Sequence, residues 1–245
     1  DCTGSASLLL GKHFNINFIN KQHILFNDSA LAVQVPYPND ESPIKSATLS
    51  TAQSAGWIWD IGLQTRRGVG YTYSSQHTND IAAEQALKQY LVDSIGEEQA
   101  GLLKPKKIQF EPGHREKFWH KNCVAIGMSA GFLEPLEASA LAMIELASTM
   151  VSEELPVTRA HMDIIAQRFN DKFTYRWQRV IDFLKLHYIL SKRTDTQYWR
   201  DNQHPDSISE QLKELTKLWQ YQPPSRYDLS QNEEVFPSAS YQYVL

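Results

Sequence analysis

A glutamate that directly precedes an apolar, helix-like stretch is the main candidate for chemistry in this sequence. Residues 123–140 have the pattern of a short strand, a Gly/Ser turn, a proline and then Glu137. In a helix that begins there, the backbone N–H groups of Ser139 and Ala140 lack intrahelical partners and can bind an anion with help from the helix dipole. Glu137 would lie beside that anion, where it could take up a proton or stabilise a developing positive charge.

The glycines of the same turn could bring the backbone close to a ligand. Gly127 and Gly131 carry no side chain, so a flat ring could approach the main chain there. The structural alternative is that Glu137 only complements the helix N-terminus and that both glycines are ordinary turn residues. Spacing by itself favours this alternative.

Other arrangements that could carry chemistry are incomplete. Gly68 and Gly70 begin a dinucleotide-type pattern, but Tyr73 occupies the third glycine position and the stretch resembles a hairpin. Glu111 and His114 flank a Pro-Gly pair, which prevents the helix that would place both side chains on one face. We therefore predict no nucleotide loop of this type and no metal site.

Composition excludes several classes of protein. The net charge is −4 and no run of Lys or Arg stands out, so we expect no nucleic-acid partner. No apolar run reaches membrane-spanning length and no signal-peptide pattern is present, so we expect no membrane association. Two cysteines, Cys2 and Cys123, form no disulfide framework or metal motif, which favours a reducing, cytoplasmic location. Aromatic residues make up 11% of the chain, which suits a site for a flat ring but equally an ordinary core.

The elements that must position these residues divide at about residue 136. Short alternating runs separated by turn residues predict an antiparallel sheet, with strands at 30–36, 44–53, 56–61 and 69–74. A helix is predicted over 78–95, capped by Thr78 or Asn79 and ended by Gly96. A basic, solvated loop at 104–107 and two further strands at 108–110 and 123–126 follow.

Helical spacing dominates the second half. Residues 137–153 are apolar on most sides, which predicts a buried helix. The spacing continues over 165–188, with a break expected near Asn170. A capping region at 206–210 begins a final helix that ends near Trp219, and the tail from Pro223 is predicted to be a loop. The fold class is therefore α+β.

Several segments resemble the flavin-dependent tryptophan-halogenase family, and they occur in that family's order. The run Gly-Phe-Leu-Glu-Pro-Leu-Glu is very similar to a family motif, and Gly-Trp-Ile-Trp-Asp-Ile-Gly is similar to the signature Gly-Trp-x-Trp-x-Ile-Pro. The matching segments are 1–4, 56–62, 131–137, 181–188 and 193–199. Independent motifs in this order are hard to obtain by chance.

The resemblance implies a domain organisation. Residues 1–136 would be the β-rich part of a flavin-monooxygenase-like FAD domain, and residues 137–245 a mostly helical substrate-binding portion. The family's Gly-x-Gly-x-x-Gly loop and catalytic lysine belong upstream of Asp1. We therefore expect an internal piece of a halogenase that is inactive alone.

The resemblance also implies an activity for the complete protein. Reduced FAD from a separate flavin reductase, O₂ and a halide ion would produce hypohalous acid, which halogenates an electron-rich aromatic such as an indole. A homodimer is compatible with the family. The alternatives are a flavin-dependent aromatic monooxygenase of the same fold, which hydroxylates without halide, and an inactive or purely aromatic-ligand-binding domain, which would be colourless.

The resemblance assigns site residues by motif. Glu137 matches the catalytic glutamate, and Ser139 and Ala140 match the halide-binding pair. The residues expected at the flavin are Gly127, Met128, Ser129, Ala130, Gly131, Pro135 and Leu136. The residues expected at the substrate are Trp57, Trp59, Tyr188, Tyr198 and Trp199.

Three departures from the family pattern bear on function. Gly62 replaces the signature proline, and Ala138 and Ala140 replace the commoner serine and glycine around the halide. Thr194 stands where tryptophan-specific members place a carboxylate that binds the amino acid's ammonium group. We therefore expect an indole-like or other electron-rich ring without a zwitterionic group as substrate, unless the neighbouring Asp195 or another residue supplies the charge.

Overall fold

Short strands and helices alternate along the chain, as the sequence pattern predicts. The computed structural model describes residues 1–230 and 233–245. In that part of the chain the strands are β1 (Phe18–Asn20), β2 (Ser29–Pro36), β3 (Leu49–Gln53), β4 (Gly56–Gly62), β5 (Arg66–Tyr73), β6 (Lys106–Gln109), β7 (Gly113–Arg115), β8 (Trp119–His120), β9 (Cys123–Val124) and β10 (Gly131–Phe132). The α-helices are α1 (Asp80–Ile95), α2 (Glu97–Leu102), α3 (Ser139–Glu153), α4 (Arg159–Ile189), α5 (Gln197–Gln203), α6 (Glu210–Leu218) and α7 (Ser238–Val244). This content confirms the α+β class.

These elements belong to two units. The sheet unit comprises residues 26–110 and 193–201, and the helical unit comprises residues 1–25, 111–192 and 202–245. The expected division at residue 136 separates a flavin-binding part from a substrate-binding part, whereas these two units are defined by which residues pack together. The division at residue 136 therefore stays a prediction.

The sheet unit is built on five antiparallel strands in the order β3-β4-β5-β2-β6. Alternate residues of β2, β4 and β5, among them Leu31, Ile58 and Tyr71, pack against Leu87 and its neighbours on α1 and form the core of this unit. The antiparallel sheet is thus confirmed, although β3 includes only the second half of the run predicted over 44–53. Residues 44–48 lie outside the strand, because the pairing of this segment with β4 begins only at Leu49.

Two local predictions in the sheet unit are confirmed. Asn79 caps α1, since its side-chain oxygen accepts a hydrogen bond from the N–H of Ala82 at 2.9 Å, and Gly96 ends the helix with φ 83°. Gly68 and Gly70 lie within β5, so they do not form a strand–turn–helix nucleotide loop. The two other predicted strands are shorter or displaced, since β6 ends at Gln109 and β9 ends at Val124.

The helical unit is organised around α4, a helix of 31 residues. The predicted break near Asn170 is wrong, because the Asn170 side chain bonds the neighbouring β8–β9 hairpin and does not compete for its own helix backbone. Its oxygen accepts from the N–H groups of Phe118 and Trp119, each at 2.8 Å, and its amide donates to the Trp119 carbonyl at 2.9 Å.

The prediction of a buried helix after Glu137 is also wrong. Helix α3 begins at Ser139 and buries only Met143 and Ala147, which are four residues apart on one stripe, while the Leu141 side chain is 76% exposed. An all-round apolar composition permits burial, but which faces are covered depends on tertiary packing that the pattern does not specify.

The C-terminal segment contains one predicted and one unpredicted helix. Helix α6 is confirmed, and Ser209 caps it by accepting from the N–H of Leu212 at 3.1 Å. The prediction of a loop after Pro223 is wrong over residues 238–244, which form α7. The buried Tyr241 ring holds α7 in place, with centroids 4.9 Å from Phe183 and 5.3 Å from Trp219.

Replacement of Asn170 tests the link between α4 and the hairpin. In Asn170→Ala the N–H groups of Phe118 and Trp119 lose their acceptor, so the free energy of unfolding should fall by about 2 kcal/mol. Urea unfolding measures the change. The control is Gln167→Ala, which removes only an exposed hydrogen bond to Asp171. Equal effects of the two variants would contradict this role for Asn170.

Candidate active site

The turn before α3 has an unusual backbone. Glu137 adopts φ 64° and ψ 5°, and Ala138 adopts φ 48° and ψ 31°, so two successive non-glycine residues are left-handed. Each such residue costs about 1–2 kcal/mol relative to the right-handed form. The surrounding contacts must therefore stabilise this turn, and strain of this kind is common at functional sites.

This backbone brings successive N–H groups close together. A left-handed residue followed by a right-handed one points successive N–H groups into a shared concavity, which is called a nest, and Ala138 and Ser139 form this pair. The N–H of Ala138 bonds the carbonyl of Pro135 at 3.0 Å, and no side chain caps the 15-residue helix α3. The N–H groups of Ser139 and Ala140, which the sequence predicted as anion donors, thus lie together at an uncapped helix start.

Glu137 is hydrogen-bonded to the last turn of α4. Its Oε1 lies 3.2 Å from Nε2 of His187, and Nδ1 of His187 lies 2.9 Å from the carbonyl oxygen of Phe183. Because a carbonyl only accepts, Nδ1 carries a proton, and the Glu137–His187 contact then requires a further proton on one of its two partners. The hydrogen bond from His187 lowers the pKa of Glu137, against the opposing effect of partial burial.

A second carboxylate of the same turn is also held by α4. The Tyr188 hydroxyl donates to Oε2 of Glu134 at 2.6 Å, and both side chains are buried. Lys185, one helical turn earlier, donates to Oδ1 of Asn202 at 2.9 Å. Burial lowers the pKa of Lys185 to about 7, although the charge of Glu134 acts in the opposite direction. The end of α4 therefore holds Glu134 and Glu137 separately.

Three of these residues were missed in the sequence. Two signals in the sequence could have found Glu134, Lys185 and His187: carboxylates three residues apart in a turn, and polar residues inside the apolar stretch 180–188. A buried helix face rarely keeps Lys or His unless each has a partner.

The predicted substrate residues fall into two sets. Trp57, Trp59, Tyr198 and Trp199 belong to the sheet unit, whereas Tyr188 and Glu137 belong to the helical unit. The polar groups of the buried rings are bonded to protein: the Tyr198 hydroxyl to Oδ1 of Asn27 at 3.0 Å, and Nε1 of Trp199 to the carbonyl of Gln53 at 2.9 Å. Of the five aromatic residues predicted at the substrate, Trp59 is partly exposed and the other four are buried. Their substrate role stays a prediction.

The glycines of the turn have structural explanations. A Cβ on Gly131 would lie 2.6 Å from the carbonyl oxygen of Gly113 and 2.7 Å from Cα of His114, because β10 pairs with β7 there. Gly127 has φ 74° and would place a Cβ at an ordinary 3.5 Å from Ile144. The close approach of β7 explains why residue 131 carries no side chain. The expected contact of the Gly131 backbone with a flat ligand stays a prediction.

The other residues predicted at the flavin differ in accessibility. Met128 and Pro135 are exposed and Leu136 is partly exposed, whereas Ser129 and Ala130 are buried. The Ser129 hydroxyl donates to the carbonyl of Ile126 at 3.0 Å and so stabilises the turn from inside. Only the first three side chains can touch a ligand.

Two absences concern the described residues alone. Residues 1–230 and 233–245 contain no group of three or more His, Cys, Asp or Glu side chains that could hold a metal ion. Within those same ranges, no helix combines the length and the apolar character that crossing a membrane requires.

Comparison with known proteins identifies the family. The tryptophan halogenase family model matches residues 1–245. The chain belongs to the tryptophan halogenase family. It is 34% identical over 248 residues to the tryptophan 6-halogenase SttH of Streptomyces toxytricini, with 100% of this chain and 46% of that protein covered. It is 33% identical to the tryptophan 7-halogenase RebH of Lentzea aerocolonigenes, with 82% and 37% covered.

Solved structures agree with this assignment. The chain superposes on a tryptophan halogenase from Shewanella frigidimarina NCIMB 400 with a TM-score of 0.96 and 52% identity, covering 100% of this chain and 46% of that one. For BrvH, a flavin-dependent halogenase from Brevundimonas sp. BAL3, the TM-score is 0.84 and the identity 35%, with 100% and 47% covered. The family resemblance and the mixed fold are thus confirmed, and this halogenase family chain spans about half the length of the curated relatives it matches.

Removal of the His187 donor tests the electrostatics of this turn. In His187→Leu the pKa of Glu137 should rise towards its ordinary value, whereas the control Tyr188→Phe, which affects only Glu134, should leave it unchanged. Carboxyl ¹³C NMR titration measures both.

The sign of the stability effect follows from the lowered pKa of Glu137. Since the folded pKa lies below the unfolded one, the stabilisation is present above the unfolded pKa and is lost as pH falls through the folded pKa. A Glu137 titration that is identical in His187→Leu and in the natural sequence would contradict the contact.

Proposed function

We propose that the complete protein containing this chain is a flavin-dependent halogenase that uses reduced FAD, O₂ and a halide ion to halogenate an electron-rich aromatic. The observation that carries the proposal is the juxtaposition, on one strained turn, of a carboxylate and a pair of N–H groups suited to an anion. The family match supplies the reaction class.

The residues of the turn fit contact with a flavin ring along a limited surface. The exposed side chains of Met128 and Pro135 and the partly exposed Leu136 would touch the ring. Gly127, Ser129, Ala130 and Gly131 would shape the turn from within. Reduced FAD and O₂, when bound, supply the oxidising equivalent that converts halide to hypohalous acid.

The halide would bind to the N–H groups of Ser139 and Ala140. The alanines at 138 and 140 do not weaken this halide site, because the donors are backbone N–H groups and not side chains. A carboxylate next to an anion is unfavourable by itself. The hydrogen bond from His187 to Glu137 reduces that repulsion, so the two charges can share one turn.

Glu137 would act when the ring reacts. In an electrophilic halogenation the ring bonds to the halogen, becomes positively charged, and then loses a proton. The Glu137 carboxylate can stabilise the positive charge and accept the proton. Because His187 lowers its pKa, Glu137 is a carboxylate at neutral pH, which favours its role in stabilising the positive charge on the ring.

The substrate is proposed to be an indole-like ring without an amino-acid group. Thr194 is exposed, and its carbonyl accepts from Nη1 of Arg200 at 2.6 Å. Asp195 is bonded by two nitrogens of Arg193, at 3.0 and 2.7 Å, so a move towards a substrate ammonium group would break a bidentate pair. This pairing favours the proposal over the alternative in which Asp195 supplies the missing charge.

The supply of reduced flavin belongs to the same proposal. A separate flavin reductase would provide it, by transient contact or through free FADH₂, in the cytoplasm. Cys2 and Cys123 are both free thiols, which fits a reducing compartment. A homodimer is compatible with these features.

Turnover of the complete enzyme tests the activity and the role of Glu137. With a reductase, FAD and bromide, indole should give a brominated product, and Glu137→Gln should lower kcat by about 10²-fold while changing stability by at most about 1 kcal/mol. The control is Glu145→Gln on the exposed side of α3. A hydroxylated product formed without halide would indicate a monooxygenase, and an unchanged kcat with a lower Tm would leave Glu137 a structural residue.

Competition between indole and tryptophan tests the substrate class. The complete enzyme should show the higher kcat/KM for indole. Thr194→Glu should raise the relative kcat/KM for tryptophan by about tenfold, because it restores a charge-assisted partner for the ammonium group. The matched control Thr194→Gln has a similar shape without the charge. A natural preference for tryptophan, or equal effects of both variants, would contradict the assignment.

A further inference from the structure

The face of the sheet opposite α1 carries an ordered row of side chains. The strand registers place Trp59 opposite Gly70, Gly70 opposite Ala32, and Ala32 opposite Lys106. The row therefore crosses four strands on one face, with a tryptophan at one end, a lysine at the other, and almost no side chain between them. At about 4.8 Å between strands, the two ends lie about 14 Å apart.

Glycines make the floor of this row flat. The ring of Trp59 lies over Gly70, where an added Cβ would collide with the indole. One step along β5, a Cβ on Gly68 would meet no atom within 4 Å, so the space above it is open. Both glycines belong to the pattern that does not form a nucleotide loop. In the structure they instead keep this face of the sheet free of side chains.

Three cationic side chains line the same groove. Lys104 and Lys106 and the guanidinium of Arg66 line the groove, and Nε of Arg66 is buried without a hydrogen-bond partner among the described residues. Lys107, the next residue along β6, points to the other face and pairs with Asp80. Lys106 and Lys107 thus differ in whether a carboxylate neutralises them.

The groove has the size and charge of a ligand site. Its volume is about 530 Å³, within the range of small-molecule sites, and none of the described residues that line it is Asp or Glu. A flat apolar floor next to an indole favours a planar ring, and an unneutralised set of cations favours an acid group. We propose that this groove binds a planar aromatic anion, such as a bicyclic aromatic carboxylate.

The proposal concerns ligand binding alone, so it can be tested without any halogenase activity. Isothermal titration calorimetry of the complete polypeptide with 2-naphthoate and with its neutral counterpart 2-naphthamide measures it directly. We expect the carboxylate to bind more tightly, and the difference in Kd to shrink as salt screens the charges.

Two variants and one matched control locate the binding. Gly68→Val fills the floor with a residue suited to a strand, so the Kd for naphthoate should rise at least about tenfold while the fold is kept. Lys106→Met should raise the Kd by about threefold, the value of an exposed ion pair. Lys107→Met, on the opposite face of the same strand, should leave the Kd unchanged.

The contradicting results are equally specific. Equal affinity for 2-naphthamide would show that no anion is recognised. An unchanged Kd in a folded Gly68→Val variant, verified by circular dichroism, would place any binding elsewhere and overturn the proposal. Equal losses of naphthoate affinity in the Lys106 and Lys107 variants would show that only the net charge of the protein matters, which would also overturn the proposal. Halogenation of indole by the same variants reports separately on the Glu137 turn.

Discussion

The hydrogen bonds from the end of α4 to the turn before α3 are the contacts on which the candidate site depends. Glu137 and Ala138 adopt left-handed conformations that their own side chains disfavour, so the turn needs partners that hold it. His187 bonds Glu137, and the neighbouring Tyr188 bonds Glu134. Since both donors are consecutive residues of one helix, a shift of α4 would move both carboxylates together.

The same contacts organise the electrostatics. A nest of N–H groups attracts an anion, while two carboxylates in the same turn oppose it. Donation from His187 and Tyr188 to those carboxylates offsets their charge without competing for the N–H groups of Ser139 and Ala140. The long, continuous α4 provides this support, and its fixed position relies in part on the bonds of Asn170 to the β8–β9 hairpin.

Local signals in the sequence predicted the sheet, α1 and its Asn79 cap, and the capped start of α6, because strand alternation and caps depend on neighbouring residues. The sequence predicted the position of the turn at Glu137 but not its backbone conformation. A glycine would have indicated a positive φ, whereas Glu137 and Ala138 give no such signal. Three features depend on residues that are distant in sequence: the exposure of α3, the continuity of α4 through Asn170, and the packing of α7 through Tyr241. Such contacts are not visible in any local pattern, and His187 as the partner of Glu137, 50 residues away, is the clearest case.

We propose that this strained turn places a halide beside Glu137. A crystal of the complete protein grown with bromide, measured at the bromine absorption edge, tests it most directly. We expect an anomalous peak within hydrogen-bonding distance of the N–H groups of Ser139 and Ala140. The peak should be weaker in His187→Leu, because the charge of Glu137 beside the halide is then no longer offset. Bromide bound elsewhere, with no peak at these two groups, would contradict it.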